Sequence, residues 1–406
     1  MARIRILIGS HLCTNTRALR EARALIEAGH DVSIQGVWFD KTLIARDESL
    51  LLKAPYHFEP VVNLRKHGLL PRLRRRIGVE SWRRSRRFSP AGLGYGIREH
   101  LRAARAAEAD LTIAHSEGTM WVATQLAAKG QRVGIDFENW FSGVIRPEEQ
   151  SQQPVDAIRA LEHRILHCAR YRIAPSRAMA RALGEFAGVE PPHCVYNAFP
   201  MAALHAPAPP VSDRKNHRAP SLHWFSSRLT PGRGLTTLMA ALRYLQYPAE
   251  LNLRGDLAGA DKKWFARLVP EEWRERILIH PTVHDSEMLP RIASHDIGLA
   301  LESGATRGRD LTIAKKTFHY MLAGLAVVAT DTTGHKEIAG NSLGAMQLVP
   351  PDHPVALAAA IDAWLAFPEH LKLARQAATR ATKETFCWEL VREQLLDELA
   401  LALAND

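Results

Sequence analysis

The stretch that decides the fold runs from Asp310 to Asp331 and reads DLTIAKKTFHYMLAGLAVVATD. A polar loop leads into an amphipathic helix that carries Lys315 and Lys316 in its first turns and stops at Gly324. An apolar strand, Ala326 to Ala329, follows at once. A helix N-terminus offers free N–H donors and the positive end of the macrodipole, so it suits a phosphate. Such a loop–helix–strand unit late in an α/β chain predicts a ligand that carries a diphosphate.

Short apolar runs alternate with helical patterns on both sides of this stretch. Ile4 to Ile8 is typical of a strand and Thr16 to Ala28 of a helix, and the alternation continues to about residue 200. It resumes with a strand at His223 to Phe225. Repeated alternation predicts parallel sheets with helices on both faces. A chain of 406 residues is long enough for two such domains.

The domain boundaries follow from composition. Five prolines between Pro200 and Pro220 indicate a linker, which we place at 201–220. The N-terminal domain then covers 1–200 and the C-terminal domain covers 221–384. We expect both to be doubly wound Rossmann-like domains that face each other across a cleft, bordered by the carboxyl ends of the two sheets.

The net charge of +10 is concentrated in one insertion, residues 65–87. Ten cations and one anion, Glu80, give this window +9, so the rest of the chain carries +1. Leucines and a tryptophan lie among the cations, and this mixture favours an anionic membrane surface. A solvated loop is the simpler interpretation, and nucleic acid is a less favoured partner because no nucleic-acid motif accompanies the patch. The candidate membrane-surface residues are Arg74, Arg75, Arg83 and Arg84.

Several kinds of protein and site are disfavoured by the sequence. The longest apolar runs are far too short to span a bilayer, and residues 1–9 fit a strand better than a signal peptide. The four cysteines lack metal or redox spacing and fit a reducing cytoplasm. No P-loop, zinc-protease or nucleophile-elbow motif appears. His163 and His167 could share a helix face, but without a third ligand we expect no metal.

Four landmarks that follow one another along the chain carry a resemblance to a known family. They are a strand and turn at Ile6 to Ser10 followed by Ala28 to Val32, a strand ending in His at Asp110 to His115, the phrase from Ser227 to Leu235, and the stretch quoted at the start. Together they resemble the GT-B-fold glycosyltransferases of the large family-4 group. Those enzymes transfer a sugar from a nucleotide donor with retention of configuration.

The resemblance implies roles for residues of the N-terminal domain. Gly9 lies in a turn near the acceptor and the donor phosphate, where a small residue lets the backbone approach a ligand. His115 lies beside the transferred sugar, although a structural histidine is the alternative. Asp136 and Glu138 follow the next strand and could orient acceptor hydroxyls. The last segment, 385–406, crosses back to the N-terminal domain in this fold.

The resemblance also places the donor in the C-terminal domain. Arg228 and Arg233 stand where relatives carry Arg and Lys, and with Lys316 they would neutralise the leaving diphosphate. His319 stands where relatives carry a carboxylate that binds the ribose, and an imidazole cannot supply the same pair of acceptors. The upstream acidic partner is also missing. Further candidate donor-binding residues are Glu302, Asp310 and Gly304.

We therefore expect a cytoplasmic, retaining glycosyltransferase that is peripheral on the inner face of the cell membrane. It would move a sugar from a nucleoside diphosphate donor to a saccharide or lipid-linked acceptor in bacterial surface glycan synthesis. The expected mechanism is front-face displacement, in which the leaving diphosphate accepts the acceptor's proton. No metal, further cofactor or nucleic-acid partner is expected. A sugar-nucleotide 2-epimerase of the same fold and a non-catalytic relative that binds an anionic surface remain as alternatives.

Overall fold

The chain forms two α/β units. In a computed structural model, the described residues are 1–66, 68–106, 108–205, 213–214, 219–283 and 285–404. Contacts within the chain divide it into unit 1, Met1–Val195 with Arg392–Asp406, and unit 2, Tyr196–Val391. Most of the linker predicted at 201–220 lies outside the described residues.

Unit 1 is built around one parallel sheet. Its strands are β1 (Arg3–Leu7), β2 (Asp31–Trp38), β3 (His57–Asn63), β4 (Leu111–Ala114), β5 (Val133–Asp136), β6 (Tyr171–Ala174) and β7 (His193–Cys194). They are ordered β3-β2-β1-β4-β5-β6-β7. The order reverses between β1 and β4, and doubly wound folds bind ligands at such a point, outside the carboxyl ends of the strands.

Helices follow most strands of unit 1. They are α1 (Thr16–Glu27), α2 (Lys41–Leu51), α3 (Leu69–Ser85), α4 (Ile97–Ala106), α5 (Glu117–Ala127), α6 (Val155–Cys168) and α7 (Arg177–Ala187). Helix α3 accounts for most of the basic insertion, so this segment is a helix and not the solvated loop of the simpler interpretation.

Unit 2 contains a second parallel sheet of six strands. The strands are β8 (Ser221–Arg228), β9 (Glu250–Asp256), β10 (Ile277–His280), β11 (Ile297–Ala300), β12 (Ala326–Thr330) and β13 (Met346–Val349). They are ordered β10-β9-β8-β11-β12-β13, so the order reverses between β8 and β11. Strands β11 and β12 are buried along their whole length, as parallel strands covered on both faces must be.

The helices from unit 2 onward complete the chain. They are α8 (Leu235–Ala241), α9 (Ala260–Leu268), α10 (Asp285–Ile292), α11 (Arg307–Leu311), α12 (Lys315–Leu322), α13 (Thr333–Ala339), α14 (Pro354–Leu365), α15 (Pro368–Ala381) and α16 (Trp388–Leu403). Most of α16 belongs to unit 1, where Glu398 accepts a 2.9 Å hydrogen bond from the backbone N–H of Arg172 in β6.

Two local differences from the sequence pattern have plain causes. The pattern predicts one helical stretch over Val355–Ala381, but α14 ends at Leu365 and α15 begins at Pro368. Proline lacks the N–H of a helix interior and is favoured in the first turn. Strand β3 was not predicted, and it contains Pro60. It is an edge strand, where a missing N–H donor is tolerated.

Candidate active site

Lys316 is the most unusual charged residue of unit 2. It lies in the first turn of α12 and is 5% exposed, and its Nζ is 4.7 Å from the centroid of the Trp224 ring. This Nζ has no hydrogen-bond partner among the described residues. Burial lowers the pKa of Lys316 to about 8, with Glu302 opposing the shift and Arg233 adding to it. The ammonium is thus buried against an aromatic ring and makes no hydrogen bond to a carboxylate among the described residues.

Helix α12 is packed closely against the sheet, and this packing fixes the position of Lys316. Its C-terminus closes at Gly324, whose φ is 72°, and the N–H of Leu325 donates to the carbonyl of Tyr320 at 2.9 Å. The ring of Tyr320 packs against Gly298 of β11, where an added Cβ would lie 2.2 Å from the ring. The helix end predicted at Gly324 is therefore confirmed, and α12 rests closely on the sheet.

Arg233 lies in a turn of unusual backbone geometry between β8 and α8. Gly232, Arg233 and Gly234 all have positive φ, at 103°, 47° and 74°. Glycine is required at 234 because a Cβ there would lie 2.3 Å from Cβ of Leu301. A non-glycine residue at positive φ is strained, and such strain is commonly found at functional sites. The exposed Arg233 acts electrostatically on Lys316, so the turn and the start of α12 are neighbours.

Arg228 takes a different direction in this structure. It ends β8, and its Nη2 donates to Asp261 in the first turn of α9 at 2.7 Å. The side chain is 62% exposed. The structure thus brings Arg233, Glu302 and Lys316 together, whereas the guanidinium of Arg228 pairs with α9. Its assignment to the diphosphate stays a prediction.

The acidic candidates of unit 2 differ in their freedom to bind a ligand. Glu302 follows β11 and is 13% exposed, with Oε2 3.5 Å from Nη1 of Arg309. Asp310 accepts hydrogen bonds from the N–H of Thr333 at 3.1 Å and from its hydroxyl at 2.6 Å. Asp310 therefore holds the start of α13, and Glu302 is the better placed of the two. Gly304 lies between them with a φ of 59°.

His319, on α12, lies between two aromatic rings. Its ring centroid is 3.9 Å from that of Phe199 and 5.5 Å from that of Phe225. Its Nδ1 is 3.1 Å from the carbonyl oxygen of Lys315, which favours a proton on Nδ1. The position predicted for a ribose ligand therefore has aromatic surroundings, which the sequence pattern did not indicate.

His115 of unit 1 lies inside a buried cluster of charges. Its Nε2 is 2.6 Å from Glu21, and its Nδ1 is 3.7 Å from Asp136 and 3.6 Å from Glu138. Burial alone would lower the pKa of His115, but the carboxylates outweigh it and raise the pKa to about 10. The ring is therefore a shielded imidazolium at neutral pH, able to donate from both nitrogens but unable to act as a base.

Arg17 completes this cluster, which we call the acid–imidazolium cluster (Arg17, Glu21, His115, Asp136 and Glu138). Arg17 Nε donates to Asp136 at 2.5 Å, and Tyr171 donates its hydroxyl to Glu21 at 2.5 Å. Asp136 is fully buried, so in this structure it cannot contact an acceptor, whereas the side chain of Glu138 is 20% exposed. Glu138 is therefore the acidic residue that could meet a ligand.

The cluster also contains the one group of potential metal ligands found among the described residues. The ligand atoms of Glu21, His115 and Asp136 lie within 4.8 Å of one another. Arg17 and the protonated ring of His115 already place two positive charges against these carboxylates. The residues present therefore fit an internal ion-pair network better than a cation site, and the expectation of no metal stays a prediction.

Arg17 and Glu21 were missed by sequence reasoning, although a signal was present. Both lie on the buried face of the amphipathic helix α1, together with Ala18, Ala22 and Leu25. A cation and an anion four residues apart on an apolar face indicate buried partners elsewhere in the fold. At position 9, packing also requires a glycine, because a Cβ there would lie 2.6 Å from Oγ of Ser116.

The candidate membrane-surface residues on α3 point in different directions. Arg74 pairs with Glu99 at 2.6 Å, and Arg75 lies 4.8 Å from the centroid of the Tyr95 ring, so both face the protein. Arg83 and Arg84 pair with Glu80 at 3.5 and 3.3 Å. Among the described residues, no helix combines the length and apolar character needed to cross a bilayer.

The outer face of α3 is more apolar than its arginines suggest. Four large apolar side chains are 52–87% exposed there, and their spacing places them within one arc of the helix. These are Leu69, Leu70, Leu73 and Ile77, which we call the α3 apolar stripe.

Comparisons with known proteins cover most of the chain. Residues 14–199 match a family model described as glycosyl transferase 4-like domain, and residues 221–366 match one described as glycosyl transferases group 1. No curated protein matches the chain.

Solved structures share the whole fold at low sequence identity. HepE from Anabaena in complex with UDP is 16% identical with a TM-score of 0.70, covering 98% of this chain and 100% of that one. Sucrose-phosphate synthase from Thermosynechococcus elongatus is 16% identical with a TM-score of 0.72, covering 100% of both chains. A glycosyltransferase from Rickettsia africae is 16% identical with a TM-score of 0.70, covering 100% of this chain and 99% of that one. With its two matched domains in this order and its two parallel sheets, the chain belongs to the family-4-like glycosyltransferases of the GT-B fold.

Proposed function

We propose that this glycosyltransferase works with retention of configuration and takes its sugar from a nucleoside diphosphate donor bound by unit 2. The proposal is carried by the buried ammonium of Lys316, which has no hydrogen-bond partner among the described residues. A desolvated cation gains most from an anion placed beside it, because its own burial then costs less. A uridine nucleotide is the first donor to test, since HepE from Anabaena has been solved with UDP and with UDP-glucose.

The turn 232–234 complements this lysine in the proposed donor site. The backbone N–H groups of a turn can form a concavity that binds an anion, and the exposed guanidinium of Arg233 adds a positive charge to this turn. Departure of the nucleoside diphosphate develops negative charge, which fixed cations stabilise without reorganisation. Glu302 would repel a diphosphate, so we assign it to hydroxyl groups of the donor.

The state of His115 supports a front-face mechanism. Because the imidazole is already protonated at neutral pH, it cannot remove the acceptor's proton. In front-face displacement the leaving diphosphate takes that proton instead, so no protein base is needed. We assign to His115 the role of holding Glu138, 3.6 Å from its Nδ1, at the acceptor side of unit 1.

The acceptor is proposed to be a saccharide or a lipid-linked glycan, used in bacterial surface glycan synthesis at the inner face of the cell membrane. The α3 apolar stripe supports this proposal, because exposed leucines flanked by arginines suit the boundary between anionic headgroups and acyl chains. Binding to vesicles that contain phosphatidylglycerol should weaken when Leu70 and Leu73 are both changed to Ser. Equal binding by wild type and variant would remove the membrane from the proposal.

A panel of nucleotide-sugar donors tests the catalytic part of the proposal. The chain is incubated with UDP-, GDP- and ADP-linked sugars, with and without saccharide acceptors, and the products are separated by mass and by anomeric NMR signals. Glycoside formation with the donor's anomeric configuration is the expected result. Isomerised donor in the absence of acceptor would indicate the epimerase instead. A nucleotide that raises the melting temperature without donor consumption would indicate a non-catalytic relative.

A further inference from the structure

A cavity of about 400 Å³ lies beneath α3 in unit 1, apart from the acid–imidazolium cluster. Helix α3, the turn at 90–93, the start of α5, the turn at 147–152 and the start of α6 form its walls. This volume falls within the range of about 300–1,000 Å³ that is usual for small-molecule sites. The cavity lies in the basic insertion and its surroundings, a region to which the resemblance assigns no ligand.

The walls of this cavity are held in place by contacts at both ends of α3. Gly78 packs so closely on the turn at 90–93 that a Cβ would lie 2.6 Å from the N of Gly92. Arg74 pairs with Glu99 of α4, and Arg86 donates to the carbonyl of Ser151. The cavity therefore belongs to the folded unit and is not a gap under a loosely attached helix.

Two polar groups of the lining, an indole N–H and a carboxylate, face the cavity from partly buried positions. Trp82 Nε1 is shielded from solvent and has no hydrogen-bond partner among the described residues. Glu117, at the first position of α5, has its pKa raised by burial, with only its own backbone N–H opposing the shift. Buried polar groups are nearly always paired, so an indole N–H without a partner among the described residues, in the same lining as a half-buried carboxylate, indicates a ligand with hydroxyl groups.

The rest of the lining restricts the charge of that ligand. The lining contains two arginines, Arg75 and Arg83, and two carboxylates, those of Glu117 and Glu149, so neither a strong anion nor a strong cation is favoured. Gln152 and Gln153 add carboxamides that both donate and accept. A neutral polyol suits such a lining, because each hydroxyl group can both donate and accept a hydrogen bond.

The apolar part of the lining excludes a purely polar ligand. Trp82 and Phe88 present aromatic rings, and Ile158 adds an aliphatic wall. Pyranose rings combine hydroxyl edges with apolar C–H faces, which match rings of this kind. An acyl chain would leave the carboxylates and carboxamides unsatisfied.

We propose that this cavity binds a neutral sugar unit of the acceptor, with Trp82 against the ring face and Glu117 accepting hydrogen bonds from its hydroxyls. The inference rests on the proposed function, because it assigns the bound sugar to the glycosyl acceptor. It places acceptor recognition on α3 and α5 and makes the basic insertion a determinant of which acceptor is used.

The test measures sugar binding separately from catalysis. The full chain is titrated with methyl glycosides of glucose, galactose, mannose and N-acetylglucosamine and followed by saturation-transfer-difference NMR. At least one glycoside should bind, and Glu117→Gln and Trp82→Ala should each weaken it roughly tenfold. Glu185→Gln, an exposed carboxylate change on α7 of the same unit, is the matched control and should bind like wild type. Gln153→Ala serves as a third cavity variant if Trp82→Ala fails to fold.

The outcomes separate this inference from the proposed function. If no glycoside binds, if the cavity variants bind like wild type, or if only the short-chain lipid dihexanoyl phosphatidylglycerol binds, the sugar site is wrong even when transfer occurs. If glycoside binding depends on Trp82 and Glu117 but no donor is consumed, the sugar site stands and the proposed function fails. In an active enzyme the same variants should raise the KM for the acceptor and leave the thermal shift with UDP unchanged.

Discussion

Replacing Lys316 with methionine should stabilise the ligand-free chain and slow sugar transfer at the same time. In the folded state the pKa of this lysine falls from 10.5 to about 8, chiefly through burial. At about 1.36 kcal/mol per pKa unit, that difference corresponds to roughly 3 kcal/mol of destabilisation by the charged amine. The contact with Trp224 returns about 1 kcal/mol, which methionine loses. The expected net gain in the free energy of unfolding is therefore about 2 kcal/mol at pH 7.

The same reasoning predicts how the difference in stability between wild type and Lys316→Met depends on pH. Because the pKa of Lys316 is lower in the folded state, the destabilisation is complete below about pH 8 and disappears as the pH rises from 8 toward 10.5. Urea denaturation of wild type and Lys316→Met should therefore differ at pH 7 and nearly coincide above pH 10. Turnover of the variant should fall by about 10²- to 10³-fold, the usual effect of removing one group that stabilises developing charge.

A control variant separates these effects from the loss of a positive charge. Lys372 on α15 is 64% exposed and lies 3.5 Å from Glu369, so Lys372→Met should change stability by less than about 1 kcal/mol and leave turnover unchanged. If Lys316→Met turned over like wild type, Lys316 would have no part in binding the diphosphate. A variant less stable than wild type at pH 7 would show that the buried ammonium has a partner in solution.

Further predictions concern the backbone strain at Arg233, the arginine at the end of β8 and the buried histidines. Arg233→Gly should gain about 1 kcal/mol of stability by relieving a φ of 47°, yet lose about 100-fold in turnover, and Arg233→Lys should keep most of the activity. Arg228→Ala should cost about 2–4 kcal/mol of transition-state stabilisation, and unchanged kcat/KM would remove it from the mechanism. Burial lowers the pKa of His295 to about 3 and that of His223 well below its ordinary value, so the unfolded state binds more protons below about pH 6.5. Stability should therefore fall with pH below 6.5, and His295→Gln should flatten that dependence in urea melts.

The overall architecture could be predicted because it depends on local signals. Strands that are apolar on both faces, glycines after helices and prolines between domains are visible within windows of ten to twenty residues. The stretch from 310 to 331 gave the turn, the helix and the strand in nearly their observed positions. The charge of Lys316 was also recognised from the sequence. Its burial was not, since that depends on Trp224, which lies in a strand about ninety residues earlier.

The chemistry of unit 1 could not be predicted in the same way. The pKa of His115 depends on Glu21, which lies in another helix, and on the fold that brings the two within 2.6 Å. A histidine at a strand end suggested a residue beside the transferred sugar or a structural histidine, whereas the three surrounding carboxylates raise its pKa and favour the protonated ring. Likewise the arginines of α3 indicated a charged surface, but only the three-dimensional structure shows which of them face the protein.

The glycine pair at Gly78 and Gly92 sets the width of the space under α3. With a hydrogen in place of each side chain, the helix backbone approaches the turn as closely as van der Waals radii allow. A methyl group at Gly78 would lie 2.6 Å from the N of Gly92 and would force the helix away from the turn, whereas one at Gly92 would lie 3.3 Å from the carbonyl carbon of Gly78 and would need a smaller shift. Gly78→Ala should therefore widen the space between α3 and the turn at 90–93 and change the shape of the cavity without altering any side chain that lines it.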